Sequence, residues 1–504
     1  MLRILGSHKR FCDGVTRRDL MHIGGIGALG FGLSDALPQV QASSASPGFG
    51  KAKRCILIFP FGAQPQHETF DPKPQAPAEI QGEMKAISTA IPGVEIAEGL
   101  PRLASVLDRA TVIRSMTHPF PVHGVAYAVT GMPAYTPDVE AQPRDSTIWP
   151  YMGSVAEYFL SPEKRSGRAG QGDNLPFQVA VPWKLNSKAE DYPPLAGVYG
   201  AYLGQQYDPL WADFEGKALH QVPKCRHEQT KVYTDPYGGI DPAGRFTVAG
   251  AQGLPQDVTL TRFNLRQSLL DQVDRGRQTL DAVASVRSYS RDQQQAISLL
   301  TSEKVRAALD VTREPESVRN RYGMTLFGQS CLAARRLVEA GTRFTTVFWD
   351  AFGTYFSGAW DTHQNHYPRL REYLLPGFDA GLAALLEDLD QRGLLEDTLV
   401  VWGGEFGRTV YSQGQLTATN YGRDHHPRCF SIWLAGAGIR PGMTYGATDD
   451  FSYNITENPM HVHDLQATML HLLGFNHERL TYRFQGRDYR LTDVSGEVVN
   501  AILA

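Results

Sequence analysis

The 504-residue sequence predicts an α/β fold, a mostly parallel central sheet with helices on both faces. Two observations lead there. Short apolar runs rich in β-branched and aromatic residues recur along the chain, as in strands buried on both faces. Amphipathic helical patterns alternate with them, which is the βα order of a parallel sheet. Composition agrees: 42% hydrophobic and 20% charged residues are those of an ordinary globular protein, and 49 Gly and 31 Pro leave room for many loops. A net charge of -4 carries no signature of a nucleic-acid partner.

The chain opens with a segment of different character. Thr16-Arg17-Arg18-Asp19-Leu20-Met21 precedes a Gly/Ala/Leu run from Ile23 to Leu33, then small residues at 42–45. Paired arginines, a weakly apolar stretch and small residues predict a twin-arginine export signal over 1–45. The apolar run is too short for a stable membrane anchor. The expected location is periplasmic or secreted, with one mature domain over 46–504.

Within that domain Arg54–Phe61 is the first buried strand, opening into the polar loop GAQPQHETFDPKPQAP. Further strands are expected at 110–114, 177–182, 342–349, 398–402 and 430–435. Residues 184–260, with little periodicity, are expected to form an insertion or lid. Amphipathic helices are expected at Arg262–Tyr289, Asp292–Leu309 and Met324–Ala340. Leu370, Leu374, Phe378, Leu382, Leu385 and Leu389 make one helix face, with Pro376 kinking the helix or marking its start and Gly393 ending it. His463–Leu473 is the last helix. No CxxC occurs, and Cys55, Cys225, Cys331 and Cys429 are expected as free thiols.

Chemistry concentrates near strand ends, where ligands bind in such sheets. WDTHQNH supplies Asp361, His363 and His366; carboxylate with imidazole suits Zn, Mn or Fe. Glu405 ends the strand TLVVWGGE as a candidate ligand, with Arg408 placed to face an anion. GRDHHPR supplies Arg423, Asp424, His425 and His426. His118 and His123 follow the second strand; His67, Glu68 and Asp71 follow the first. His461, His463 and Asp464 read as a helix start, Asp464 favouring the dipole. Cys331-Leu-Ala-Ala-Arg335 matches the formylglycine pattern of sulfatases, but inside an amphipathic helix it reads as coincidence.

The leader, RCILIFPFGAQPQHETFDPKP, WDTHQNH, GEFGRT and GRDHHPRCFSIWLAG together resemble the family called domain of unknown function 1501, over about residues 15–495. FDAGLAALLEDLDQRGLLEDTLVVWGGEFG more distantly resembles the alkaline phosphatase and sulfatase superfamily. That resemblance implies an alkaline-phosphatase-like three-layer sandwich binding a divalent metal ion such as Zn, Mn or Ca. Asp361, His363 or His366, and His425 or His426 would match its first metal, and Glu405 its second; Asp424 joins them as a candidate. The first-strand Asp is replaced by Phe61-Gly62-Ala63. Counting back from AYAVTG, the nucleophile position falls on Pro121 and Val122. The expectation is an exported hydrolase of phosphate or sulfate esters, on a small molecule or polysaccharide. A metal-bound hydroxide would attack, His123 would act as acid or base, and Arg408 and Arg423 would neutralise the anion. The alternatives are a non-catalytic polysaccharide- or partner-binding protein on the same fold, and a single-metal oxidative enzyme.

Overall fold

The computed structural model describes residues 46–504 apart from 122, 133–136, 144, 146–147, 162–174, 191–193, 224–231, 249–302, 354–358, 414–420, 485–486, 491 and 493–494. The leader, Cys12, Cys225, the helix at Arg262–Tyr289 and most of Asp292–Leu309 lie outside the described residues; Glu303–Leu309 is helical.

In chain order the strands that build the centre are β1 Arg54–Pro60, β2 Ala110–Thr117, β3 Gln178–Val181, β4 Leu210–Glu215, β5 Arg245–Val248 and β6 Phe344–Trp349. They continue as β7 Thr398–Trp402, β8 Gly407–Ser412, β9 Arg423–His426, β10 Phe430–Ala435, β11 Met443–Tyr445 and β12 Met460–His461. All but β8 and β9 join one sheet, ordered β11-β2-β10-β7-β1-β6-β3-β4-β5, with β12 also on β2. β7, β1, β6, β3 and β4 are mutually parallel, while β10 runs antiparallel to both β7 and β2. β5 is antiparallel to β4.

Strand alternation sends side chains into two separate layers. From β1, Ile56 and Ile58 enter one core and Cys55, Leu57 and Phe59 the other. β7 does the same, with Val400 and Trp402 on the first side and Leu399 and Val401 on the second. The first core is covered by α3 Leu326–Ala340 and α4 Leu375–Gln391, the second by α1 Val125–Thr130, α2 Met152–Leu160 and α5 Val462–Leu472. The result is a three-layer α/β sandwich within the compact unit Pro47–Ala504.

The leucine stripe of α4 is fully buried as its spacing predicts. Pro376 stands in the first turn of α4, and the helical backbone ahead of it runs from His366 through a π turn at Leu370–Leu374. A π turn re-registers the carbonyls where proline removes a donor. The stretch expected as an insertion contributes β4 and β5 to the sheet. Cys55, Cys331 and Cys429 are buried free thiols, and Cys331 sits mid-helix with Arg335 ion-paired to Glu314 and Asp388. His461 and Asp464 form a capping box on α5. No described helix is long and apolar enough to cross a membrane.

Trp402 centres the first core, its ring 4.9 Å from Phe70, 5.0 Å from Phe378 and 6.2 Å from Trp433. Trp402→Ala is expected to cost about 3–5 kcal/mol, read as a lowered urea midpoint, with Trp402→Phe recovering most of it.

Candidate metal centre

The reversed direction of β10 decides where the site forms. β1, β2 and β7 end at one edge of the sheet, and antiparallel β10 begins there. The segments after β1, β2 and β7 therefore meet the segment before β10. They carry Gly62, His118 with His123, Glu405, and His425. His118 N–H donates to the Pro427 carbonyl at 3.1 Å, closing two of these segments on each other.

Close backbone approach brings in Asp361. Trp360 N–H donates to the Phe61 carbonyl at 2.9 Å. Gly62 has φ of 100°, and a Cβ there would stand 2.4 Å from the Asp361 nitrogen, so a side chain at 62 would push the loop away. On the other side Arg423 N–H donates to the Thr362 carbonyl at 3.1 Å. A Cβ on Gly422 would stand 1.6 Å from the His363 oxygen. The Asp361–His366 loop is thus held between the end of β1 and the β8–β9 hairpin.

Four donor atoms, one each from His123, Asp361, His363 and His425, lie within 4.8 Å of one another. His363 Nε2 is 2.9 Å and His425 Nε2 3.6 Å from Asp361 Oδ1. His123 Nε2 is 3.4 Å from Asp361 Oδ2, and the Nε2 atoms of His363 and His425 are 3.0 Å apart. Tetrahedral ligands at about 2.0–2.2 Å from an ion stand roughly 3.3–3.6 Å apart, so the set needs only small adjustment to hold one.

Each imidazole turns its other nitrogen to an oxygen. His425 Nδ1 is 2.9 Å from the Pro121 carbonyl, His123 Nδ1 is 2.8 Å from Glu405 Oε1, and His363 Nδ1 meets the Gln413 side-chain oxygen. With an ion bound, acceptors at all three Nδ1 atoms would leave the Nε2 lone pairs facing it, as metal-ligating histidines require. Side-chain exposures of 14%, 9% and 16% for His123, His363 and His425 leave the imidazole edges within reach of a ligand.

The other expected site residues go elsewhere. Strand alternation puts His425 beside Arg408 and turns His426 away; His426 Nε2 meets the Tyr453 carbonyl at 2.8 Å. His366 Nε2 is 3.1 Å from Glu68 Oε2. Asp424, nearly half-exposed, caps its own hairpin at the His425 nitrogen and reaches only 4.0 Å from His363 Nδ1. Glu405 stands behind His123, outside the four-atom set, with Oε1 also accepting from Gly62 N–H at 2.9 Å. His123 itself enters the set, whereas its sequence position suggested only acid or base duty.

Both arginines turn inward. Arg408 donates to Asp361 and to the carbonyls of Gly62, Ala63 and Arg423, and Arg423 donates to Glu68, the Thr409 carbonyl and His366. Both are fully buried, so neither is placed to meet an anion. Charge alone does not tell a substrate-facing guanidinium from one that cross-links buried backbone.

These pairs set the charge states. Burial works against the Asp361 carboxylate, but Arg408 and His123 hold its pKa well below the usual range. Burial also works against charging His123, yet Asp361 and Glu405 hold it up at about 9. Burial drives His425 down to about 4 and His366 to about 4. Arg423 and His366 outweigh burial at Glu68 and hold its carboxyl far below normal.

Residues 52–503 match the family described as a protein of unknown function, DUF1501. The chain belongs to the DUF1501 family. No curated protein matches the sequence. This DUF1501 chain is similar to the solved structure of Ps i-CgsB in complex with k-i-k-neocarrahexaose, at 11% identity, covering 85% of this chain and 72% of that one, with a TM-score of 0.37. It is similar to PsFucS1 sulfatase from Pseudoalteromonas sp. at 13% identity, 96% and 75% coverage and a TM-score of 0.37. For the phosphonate monoester hydrolase SpPMH from Silicibacter pomeroyi the values are 12%, 84% and 73%, and 0.30.

The buried Glu68–Arg423 pair gives a stability test. Glu68→Gln leaves Arg423 without a counter-charge and is expected to cost about 3–5 kcal/mol at neutral pH. Because the folded pKa of Glu68 is depressed, its contribution is complete above the unfolded carboxyl pKa and falls as pH drops below it. Unfolding midpoints across pH should show the wild-type advantage level above about pH 5 and shrinking below it.

Proposed function

We propose that this chain is an exported, metal-dependent hydrolase of phosphate or sulfate esters, on a small-molecule or polysaccharide substrate, working with a single ion. The observation that carries the metal reading is the convergence of His123, Asp361, His363 and His425 within 4.8 Å. Three nitrogens and one carboxylate oxygen suit Zn, Mn or Fe. Ca, named among the expected ions, takes six to eight oxygen ligands and does not suit this set. A divalent ion here would supply Lewis acidity to the ester oxygen and lower the pKa of a water.

Electrostatics supports an anionic substrate. Arg408 cancels Asp361 and Arg423 cancels Glu68; once His123 gives up its Nε2 proton to bind an ion, Glu405 is left as the uncompensated carboxylate. Such a site attracts a cation. Once it holds a dication the balance becomes positive, and a sulfate or phosphate group is then attracted without a free arginine. Pro121 stands where a covalent nucleophile is expected, and its carbonyl is occupied in orienting His425. Direct attack by water on the bound ester is the route this arrangement supports.

A second reading is favoured by the donor set itself: three imidazoles and one carboxylate around a single ion also suit redox-active iron or manganese. Metal analysis of protein purified from the exported fraction, with turnover of nitrophenyl sulfate and phosphate esters before and after chelator, tests both. One divalent ion per chain and chelator-sensitive ester cleavage are expected. An ion without ester cleavage in any metal form favours the second reading, and no ion sinks both.

A further inference from the structure

Glu405 is a fully buried carboxylate one step outside the four-atom set. Its Oε1 is fixed from two sides, by Gly62 N–H at 2.9 Å and His123 Nδ1 at 2.8 Å. Its Oε2 is buried without a hydrogen-bond partner among the described residues. A buried carboxylate oxygen left unmatched costs stability and calls for a compensating role. The neighbouring backbone is committed to the same placement: the Glu405 carbonyl meets His118 Nε2 at 2.6 Å, and Gly404 N–H donates to Gln64 Oε1 at 3.0 Å. The Phe406 ring packs 5.3 Å from His123 and 4.6 Å from His425. The turn after β7 thus holds Glu405 against one imidazole and Phe406 between two.

We propose that Glu405 is the positioning carboxylate of this centre, accepting the Nδ1 proton of His123 so that Nε2 is presented to the ion. The inference rests on the metal reading above and extends it to a residue that does not touch the ion. Gln413 and the Pro121 carbonyl perform the same task for His363 and His425 as neutral acceptors. Glu405 differs by being the one carboxylate among the three acceptors, and its charge adds attraction for the cation. Gly62 belongs to the same device, because its N–H aims Glu405 while its carbonyl accepts from Arg408, which holds Asp361.

The test is Zn2+ affinity of the full mature chain, by competition with a chromophoric chelator, together with the visible spectrum of the Co2+ form. Glu405→Gln keeps the size and an acceptor oxygen but loses the charge; Glu405→Ala loses both. Removing an outer-shell partner typically lowers metal affinity about 10–100-fold. Affinity is expected to fall in the order wild type, Gln, Ala, with the Co2+ bands altered. In a His123→Ala background, Glu405→Gln should add little further loss. Equal loss with and without His123 would make Glu405 merely structural and overturn the proposal, as would wild-type affinity and spectrum in both Glu405 variants. A wild-type chain that binds no ion overturns the underlying metal reading, so the two failures are distinguishable.

Discussion

The buried contact between Arg408 and Asp361 is the constraint around which the site is arranged. The guanidinium reaches the carbonyls of Gly62 and Ala63 after β1, the Arg423 carbonyl on β9 and the Asp361 carboxylate. One side chain therefore cross-links three segments that are distant in sequence. A buried guanidinium with any of these acceptors removed would be left uncompensated, so the geometry is strongly specified. The interaction also keeps Asp361 ionised while limiting the net negative charge at the centre. Arg408 occupies the place where a substrate-binding cation was expected, and any attraction for an anion then rests on a bound ion.

Sheet topology supplies the rest. A uniformly parallel sheet would place the start of β10 at the opposite edge from the ends of β1, β2 and β7. Reversal of this strand brings the His425 hairpin to the edge where Glu405 and His123 already lie. The two cores on either side of the sheet form the floor of the site, and Phe406 of the second core packs against His123 and His425. Rigid strand ends with short pinned loops can hold donor atoms to the tolerance a metal demands.

Much of this was legible in the sequence. Buried strands are short, apolar and β-branched, so β1, β2, β3, β6, β7 and β10 were all locatable. Asp361, His363 and His425 stood out because polar residues cluster beside those strands. What local pattern could not supply was pairing at long range. His123 lies 302 positions from His425, and the pairing of β2 with β10 brings them together. The choice between His425 and His426 depends on the pleat of β9, and a run of four polar residues carries no hydrophobic alternation to reveal it. The inward turn of Arg408 and Arg423 depends on carbonyls freed where strands end, which side-chain identity does not report. β4 and β5 were missed because their flanks are rich in Gly, Pro and Tyr, obscuring the strand period.

The account stands on one ion bound by three imidazoles and one carboxylate. X-ray absorption at the metal edge of the loaded protein examines that shell directly. It should show three nitrogen ligands with imidazole outer-shell scattering and at least one oxygen, all near 2.0–2.2 Å, and no second metal close by. An all-oxygen shell, a sulfur ligand, or a metal–metal distance of about 3.5–4 Å would contradict it.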